Sequence, residues 1–340
     1  MGGFLNTPNK TKHSEDNENT YLRYGSCGMQ GWRIRMEDAH ITDISQGIEN
    51  NIEIFGVFDG HGGKEVSQFV KRHFTEEFMN YYNSSGGNIK QSLSDTFLQM
   101  DKLMQTQNGK NELYELAKLS KEEDEQQNPP SLNSQADLLM RQVERQKSPE
   151  INVAMSTGCT ACVCVIDEKN KKMYFANSGD SRVVLCKKGI AYPMSIDHKP
   201  ELESERNRIT KAGGWVSEGR IKGNLNLSRS LGDLEYKQNN NLLPHEQMIT
   251  AFPDIVEENL TNDCEFIILG CDGIWDCLTN QEACDYVKKE IGKTLLPVKL
   301  SFVLEMMMDS IIATDLYNPS GVGCDNMTCM IVQFKKIRGR

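Results

Sequence analysis

Apolar residues fall in short runs along most of this chain, separated by glycines, acids and polar turns. The run at residues 52–58 stops abruptly at Asp59-Gly60-His61-Gly62-Gly63. That pattern predicts a buried strand ending in a tight turn. From Lys64 to Tyr82 the spacing changes, with Val66, Phe69, Val70 and Phe74 on one side, which predicts an amphipathic helix. Helical spacing returns at residues 89–104 through Leu93, Phe97, Leu98 and Met104. Strands are expected within 23–44, with Arg33, Glu37 and Asp38 between them, and at 159–166, 172–176, 266–270 and 327–334. Asn177-Ser178-Gly179-Asp180 reads as a hairpin turn with 182–186 as the return strand. Helices are expected at 201–212, 280–290 and 298–314. Many short strands and a few long helices, without strict βαβ alternation, predict an α+β fold with helices covering antiparallel sheets. No internal repeat is present.

Three stretches break the pattern. Residues 1–20 are polar and are expected to be disordered, with structure beginning near Tyr21. The region 105–156 carries the charge run Lys121-Glu122-Glu123-Asp124-Glu125 and the breaker Asn128-Pro129-Pro130-Ser131. It reads as a mobile insertion with a short helix at 138–143. Residues 198–250 are irregular and read as a flap. A single domain over 21–335 and a basic tail at 336–340 complete the expectation.

Composition narrows the functional classes. Of the 340 residues 38% are apolar, enough for a sizeable core, and the formal charge is −10. That balance argues against nucleic acid, whose phosphates reward lysine and arginine. No run reaches the length of a membrane span, and no apolar leader precedes a cleavage site. The eleven cysteines are scattered, which places them as reduced thiols in the cytoplasm or nucleus. Met1-Gly2-Gly3-Phe4-Leu5-Asn6 makes Gly2 a candidate for N-myristoylation, with Asn6 where the usual pattern prefers serine or threonine. One acyl chain helped by Lys10 and Lys12 would give weak membrane association. A monomer is expected.

The chemistry lies in the carboxylates. Asp59 and Asp272 each follow a strand and precede a glycine. Asp180 follows a glycine in a turn, Asp325 precedes the last strand, and Glu37 and Asp38 are adjacent. Taken singly, each is an ordinary turn or surface acid. Together, acids at strand ends can meet at one sheet edge, where repulsion would be costly unless cations relieve it. Carboxylate and carbonyl oxygens, including that of Gly60, suit Mg2+ or Mn2+ better than Zn2+. Water shared by two such ions becomes hydroxide near neutral pH and can attack phosphorus. The spacing Cys159-Thr160-Ala161-Cys162 could hold zinc, but in a strand the two thiols face opposite sides, so core packing is expected. His198 and His245 read as lone, exposed histidines, and Met306-Met307-Met308 as helix packing.

Read in order, the chain resembles the metal-dependent type 2C protein serine/threonine phosphatases. The matching segments are Arg33-Ile34-Arg35-Met36-Glu37-Asp38-Ala39-His40, Val57-Phe58-Asp59-Gly60-His61-Gly62-Gly63, Gly158-Cys159-Thr160-Ala161-Cys162 and Asn177-Ser178-Gly179-Asp180-Ser181-Arg182. They continue with Leu227-Ser228-Arg229-Ser230-Leu231-Gly232-Asp233, Leu269-Gly270-Cys271-Asp272-Gly273-Ile274-Trp275-Asp276 and Asp325-Asn326-Met327-Thr328. The resemblance implies two stacked antiparallel β-sheets flanked by α-helices, a four-layer sandwich with a two-metal site at one end. It implies that Asp59 bridges two Mg2+ or Mn2+ ions, and that the Gly60 carbonyl, Glu37, Asp272 and Asp325 complete the set. Asp38 would support them, and Asp180 with Asp276 would hold a weaker third ion. Arg33 would bind the substrate phosphate, its planar fork suiting two oxygens, and His61 would protonate the leaving serine or threonine oxygen. Phosphoproteins are the implied substrates, hydrolysed directly by a metal-bridging hydroxide. A non-catalytic scaffold is the first rival, opposed by the intact Glu37, Asp59, Asp272 and Asp325. A phosphoesterase acting on a small molecule is the second.

Overall fold

The computed structural model describes residues 3–44, 52–127, 152–293, 297–317 and 321–335. Gly2, the breaker at 128–131, the expected helix at 138–143 and the tail at 336–340 lie outside the described residues.

In chain order the strands are β1 (Phe4–Glu18), β2 (Leu22–Arg33), β3 (Ala39–Asp43), β4 (Ile52–Phe58) and β5 (Gly60–His61). Helices α1 (Glu65–Ser84), α2 (Ile89–Gln105) and α3 (Gln107–Gln127) follow. Next come β6 (Gly158–Cys159), β7 (Ala161–Asp167), β8 (Lys172–Ser178), β9 (Arg182–Lys187) and β10 (Ile190–Pro193). Beyond them lie α4 (Glu203–Lys211), β11 (Val216–Ser217), β12 (Arg220–Ile221), β13 (Leu231–Gly232), β14 (Asp254–Asn259) and β15 (Cys264–Gly270). Helices α5 (Asp272–Trp275), α6 (Asn280–Gly292) and α7 (Leu300–Ile311) lead to β16 (Met327–Phe334).

Two antiparallel sheets form the body, one ordered β1-β2-β16-β15-β9-β10 and the other β14-β8-β7-β4-β3. Side-chain alternation explains the layering. Along β4, Phe55 and Val57 enter the core between the sheets, while Ile52, Ile54 and Phe58 enter the core under the helices. Along β7, Cys162, Cys164 and Ile166 face the first core, and Ala161, Val163 and Val165 the second. These central strands are covered on both faces, so their apolar runs are nearly continuous. Helix α1 adds Val66, Phe69, Val70, Phe74 and Phe78 to the helix-side core. On the far side α6 and α7 cover the first sheet through Val287, Val303, Leu304 and Met307. The result is a four-layer α-β-β-α sandwich. Cys159 and Cys162 enter opposite cores, as packing residues do.

Four expectations need correction. Residues 4–18 are an edge strand, not a disordered tail. Their side chains are mostly exposed, but the backbone pairs along β2, and polar contacts fasten it to α7. Lys12 Nζ meets Asp309 Oδ1 at 2.6 Å, and Asp16 Oδ1 accepts from Ser301 N at 3.0 Å. The region 105–156 is not a loop throughout. Its first part is α3, which buries Leu113 and Leu116 in the helix-side core. The turn at 177–180 closes no hairpin, because β8 pairs with β7 and β14, whereas β9 pairs with β10 and β15 in the other sheet. Finally, His198 is buried, at 2% exposure, rather than exposed; His245 is exposed.

Candidate metal centre and active-site cleft

The acids come from the ends of strands in both sheets. Asp59 follows β4, and its position is fixed by the break between β6 and β7. Its N–H donates to Thr160 Oγ1 at 3.1 Å, and its carbonyl accepts from Thr160 N at 2.8 Å. Asp272 opens α5 directly after β15. Asp325 precedes β16, and Asp180 sits where the chain crosses between sheets. Carboxylate atoms of Asp59, Asp180 and Asp272 all lie within 4.8 Å of one another. Asp38, Asp59 and Cys271 form a second group within the same limit.

Such crowding is unfavourable for bare carboxylates. Desolvation, then the charges of Asp272, Asp38 and Asp180, push the Asp59 carboxyl well above its ordinary range. Desolvation and the charges of Asp180 and Asp325 do the same to Asp272. Asp38 is buried, neither of its carboxylate oxygens has a hydrogen-bond partner, and burial drives its pKa up to about 7. Burial also raises Glu37, and partial desolvation with the charges of Asp180 and Asp325 raises Asp276. Buried oxygens that lack donors and carboxyls with raised pKa are what a site for hard dications presents. The donor set is all oxygen apart from the Cys271 thiol, whose pKa burial and then the neighbouring acids raise well above its usual value. The residues therefore fit Mg2+ or Mn2+.

The rest of the site lines one cleft of about 720 Å3 that also holds Glu37, Gly60, Arg33 and His61. Gly60 lies so close to the Glu37 carbonyl oxygen that a Cβ would approach it to 2.3 Å. Asn326 clamps this loop from beside Asp325: its Oδ1 accepts from Glu37 N at 2.9 Å, and its Nδ2 donates to the carbonyls of Gln30 and Arg35 at 2.8 and 2.9 Å. Arg33 Nη2 is 2.5 Å from Asp325 Oδ2, and its guanidinium lies over the Phe4 ring, 5.9 Å from the centroid. His61 Nε2 is 2.7 Å from Asp233 Oδ2, which also accepts from Ser230 Oγ at 2.5 Å. Burial alone would lower the His61 pKa, but the Asp233 carboxylate outweighs it and raises it. Lys199 Nζ bridges to Asp180 Oδ2 and supplies the cluster with a fixed positive charge. Asp276 is exposed, one turn beyond Asp272. Arg220, Asn224 and Tyr236 line the same cleft from the flap.

The sequence matches the family described as Protein phosphatase 2C over residues 22–118 and 72–316. The chain belongs to the protein phosphatase 2C family. It is 42% identical to "Probable protein phosphatase 2C 21" of Arabidopsis thaliana, over 99% of this chain and 93% of that one. It is 40% identical to "Probable protein phosphatase 2C 6" of Paramecium tetraurelia, over 98% of this chain and all of that one, 100%. Among solved structures, a phosphatase from a pathogenic strain of Toxoplasma gondii superposes with a TM-score of 0.67 at 21% identity, covering 95% of both chains. A serine-threonine phosphatase 2C from Toxoplasma gondii gives a TM-score of 0.62 at 17% identity, covering 96% of this chain and 99% of that one. The chain is accordingly a metal-dependent protein serine/threonine phosphatase.

Within this phosphatase, sequence reasoning assigned no role to Asp233, Asn326, Thr160, Lys199 or His198. Asp233, Thr160 and Asn326 lie inside the segments that carry the family resemblance, and that position was the available signal. Asp233 reaches His61 from a left-handed backbone conformation, φ 49°, which spacing along the chain does not reveal. Among the described residues no helix is long and apolar enough to cross a membrane.

Proposed function

We propose that this phosphatase hydrolyses phosphoserine and phosphothreonine of proteins at a centre for two Mg2+ or Mn2+ ions. Asp59, Glu37, the Gly60 carbonyl, Asp272 and Asp325 would hold them, with Asp38 in support and Asp180 and Asp276 available to a weaker third. The observation that carries the reading is the convergence of Asp59, Asp180 and Asp272 within 4.8 Å. When bound, divalent ions acidify water and draw in phosphoryl oxygens. The remaining work belongs to side chains. Arg33 offers its guanidinium to two phosphate oxygens, and Asp325 holds it at the cleft. The proton between His61 Nε2 and Asp233 Oδ2 is the one available to the departing oxygen. The Asn326 clamp keeps Arg33 and Glu37 on one rigid loop. The one Cys-x5-Arg spacing, Cys27 to Arg33, lies along strand β2 with the Cys27 thiol buried, so it forms no nucleophile loop, in keeping with direct attack by water.

The test compares a phosphopeptide, a phosphoprotein and a nucleotide in Mn2+ and in chelator. Turnover of the protein substrates that requires Mn2+ is expected. Undiminished activity in chelator overturns the metal reading, and preference for the nucleotide favours the small-molecule alternative.

A further inference from the structure

We infer that His198 is a positioning residue for the metal centre, fixing the turn that carries Asp180 and tying it to the root of the flap. The inference rests on the metal-centre reading and adds a residue to it. Gly179 N donates to His198 Nδ1 at 3.2 Å, and His198 N donates to the Gly179 carbonyl at 2.9 Å. Residue 198 therefore grips Gly179 twice, once through its ring and once through its backbone N–H, immediately before Asp180. Because Nδ1 accepts, the ring proton lies on Nε2, which faces Asp254 Oδ2 at 3.1 Å. Asp254 Oδ1 takes Arg229 Nη1 at 2.7 Å, and Arg229 Nη2 binds the buried Glu205 at 2.8 Å. Glu205 also holds Arg208 Nη1 at 2.6 Å on α4. Ser228 N closes the circuit on the His198 carbonyl at 3.1 Å.

The turn is pressed against a second anchor. Gly179 has φ +119° and lies so near Thr160 that a Cβ would come within 2.6 Å of the Thr160 Cβ. Thr160 Oγ1 is the group that receives the Asp59 N–H and also meets Ser181 Oγ at 2.7 Å. One imidazole thus sets Asp180 through Gly179 and bears on Asp59 through Gly179 and Thr160. Neither contact places His198 on substrate, so its effect must appear in the centre's affinity for metal.

The test separates the two ring nitrogens. In His198→Asn the amide oxygen can stand where Nδ1 stands and accept from Gly179; in His198→Gln the amide reaches the Nε2 position and the Gly179 acceptor is lost. Mn2+ binding is followed by the electron paramagnetic resonance of free Mn2+, alongside the Mn2+ requirement for phosphopeptide hydrolysis and melting in chelator. His198→Asn is expected to keep the wild-type Mn2+ affinity. His198→Gln is expected to weaken it about fivefold, the size of one lost hydrogen bond, while the two variants melt alike in chelator. Asp254→Ala, at a half-exposed side chain, frees the ring's far end and is expected to weaken Mn2+ in the same direction. Equal affinities in all three variants and wild type, or Asn weaker than Gln, overturns the inference while leaving the metal centre intact. A wild-type protein that binds no Mn2+ overturns the centre and the inference together.

Discussion

Replacing Asp59 by asparagine separates the two consequences of the carboxylate cluster, because stability and activity should move in opposite directions. The side chain keeps its shape and loses its charge. Two acids, Asp180 and Asp272, have oxygens within 4.8 Å of Asp59. At that separation and an effective dielectric of about 20, each ionised pair repels by roughly 3 kcal/mol. Protonation already relieves part of this, since the Asp59 and Asp272 carboxyls are raised well above their ordinary range by desolvation and by neighbouring acids, Asp180 and Asp325 among them. A net gain of about 1–2 kcal/mol in metal-free protein follows, or roughly 1–3 °C in melting temperature for a chain of this size. The sign depends on pH. An acid whose folded-state pKa is raised loses stability as pH climbs through it, so the gain should be largest above about pH 7, where Asp38 too is ionised. In Mn2+ the order reverses. Wild type gains about 2.7 kcal/mol when the ion stands at a hundred times its dissociation constant, and the variant gains far less. If the centre supplies at least about 4 kcal/mol to the transition state, turnover falls by about a thousand-fold. The assay is scanning calorimetry in chelator and in Mn2+ at pH 8, beside phosphopeptide kinetics. A variant that melts lower than wild type in chelator and still turns over at the wild-type rate refutes the argument.

Two further outcomes follow from groups far from the cleft. Glu53 is fully buried, and burial followed by the charge of Glu168 raises its pKa to about 8. Stability should therefore decline as pH rises through about 8, and Glu53→Gln should flatten that decline in thermal melts across pH 6 to 10; an unchanged slope counts against it. Deleting residues 1–18 removes an edge strand and its contacts to Asp309 and Ser301. The truncated chain should melt at least about 5 °C lower, whereas a disordered tail could be removed without effect.

The strongly patterned parts of the fold were legible. The run at 52–58 alternates between two cores, and its sudden end at Asp59 marks the site because a strand buried on both faces must stop before it can present a carboxylate. Strand β1 was illegible for the opposite reason. It is held by backbone pairing and by Lys12, Ser14 and Asp16, so its side chains carry no apolar period. Helix α3 hid behind its charge run, since among its described residues Leu113 and Leu116 are the only buried large apolar side chains. The crossing at Gly179 resembled a hairpin because a glycine-aspartate turn looks the same whether the next strand returns to its own sheet or leaves it. His198 looked solitary because its partner Asp254 lies 56 positions away. The acids were recognisable from their glycine neighbours. Asp233 and Asn326 act through folded-back contacts, which residue type alone does not announce.

The crossing at Asp180 has a mechanical consequence. Asp59 belongs to one sheet, and Asp272 and Asp325 belong to the other. Carboxylates from both layers converge there, so an ion held between them would act as a rivet through both. Any sliding of one layer over the other must pull the rivet's holes out of line. The ease with which the two plates shear, and not the strength of either plate, would then set how readily such a centre is emptied and refilled.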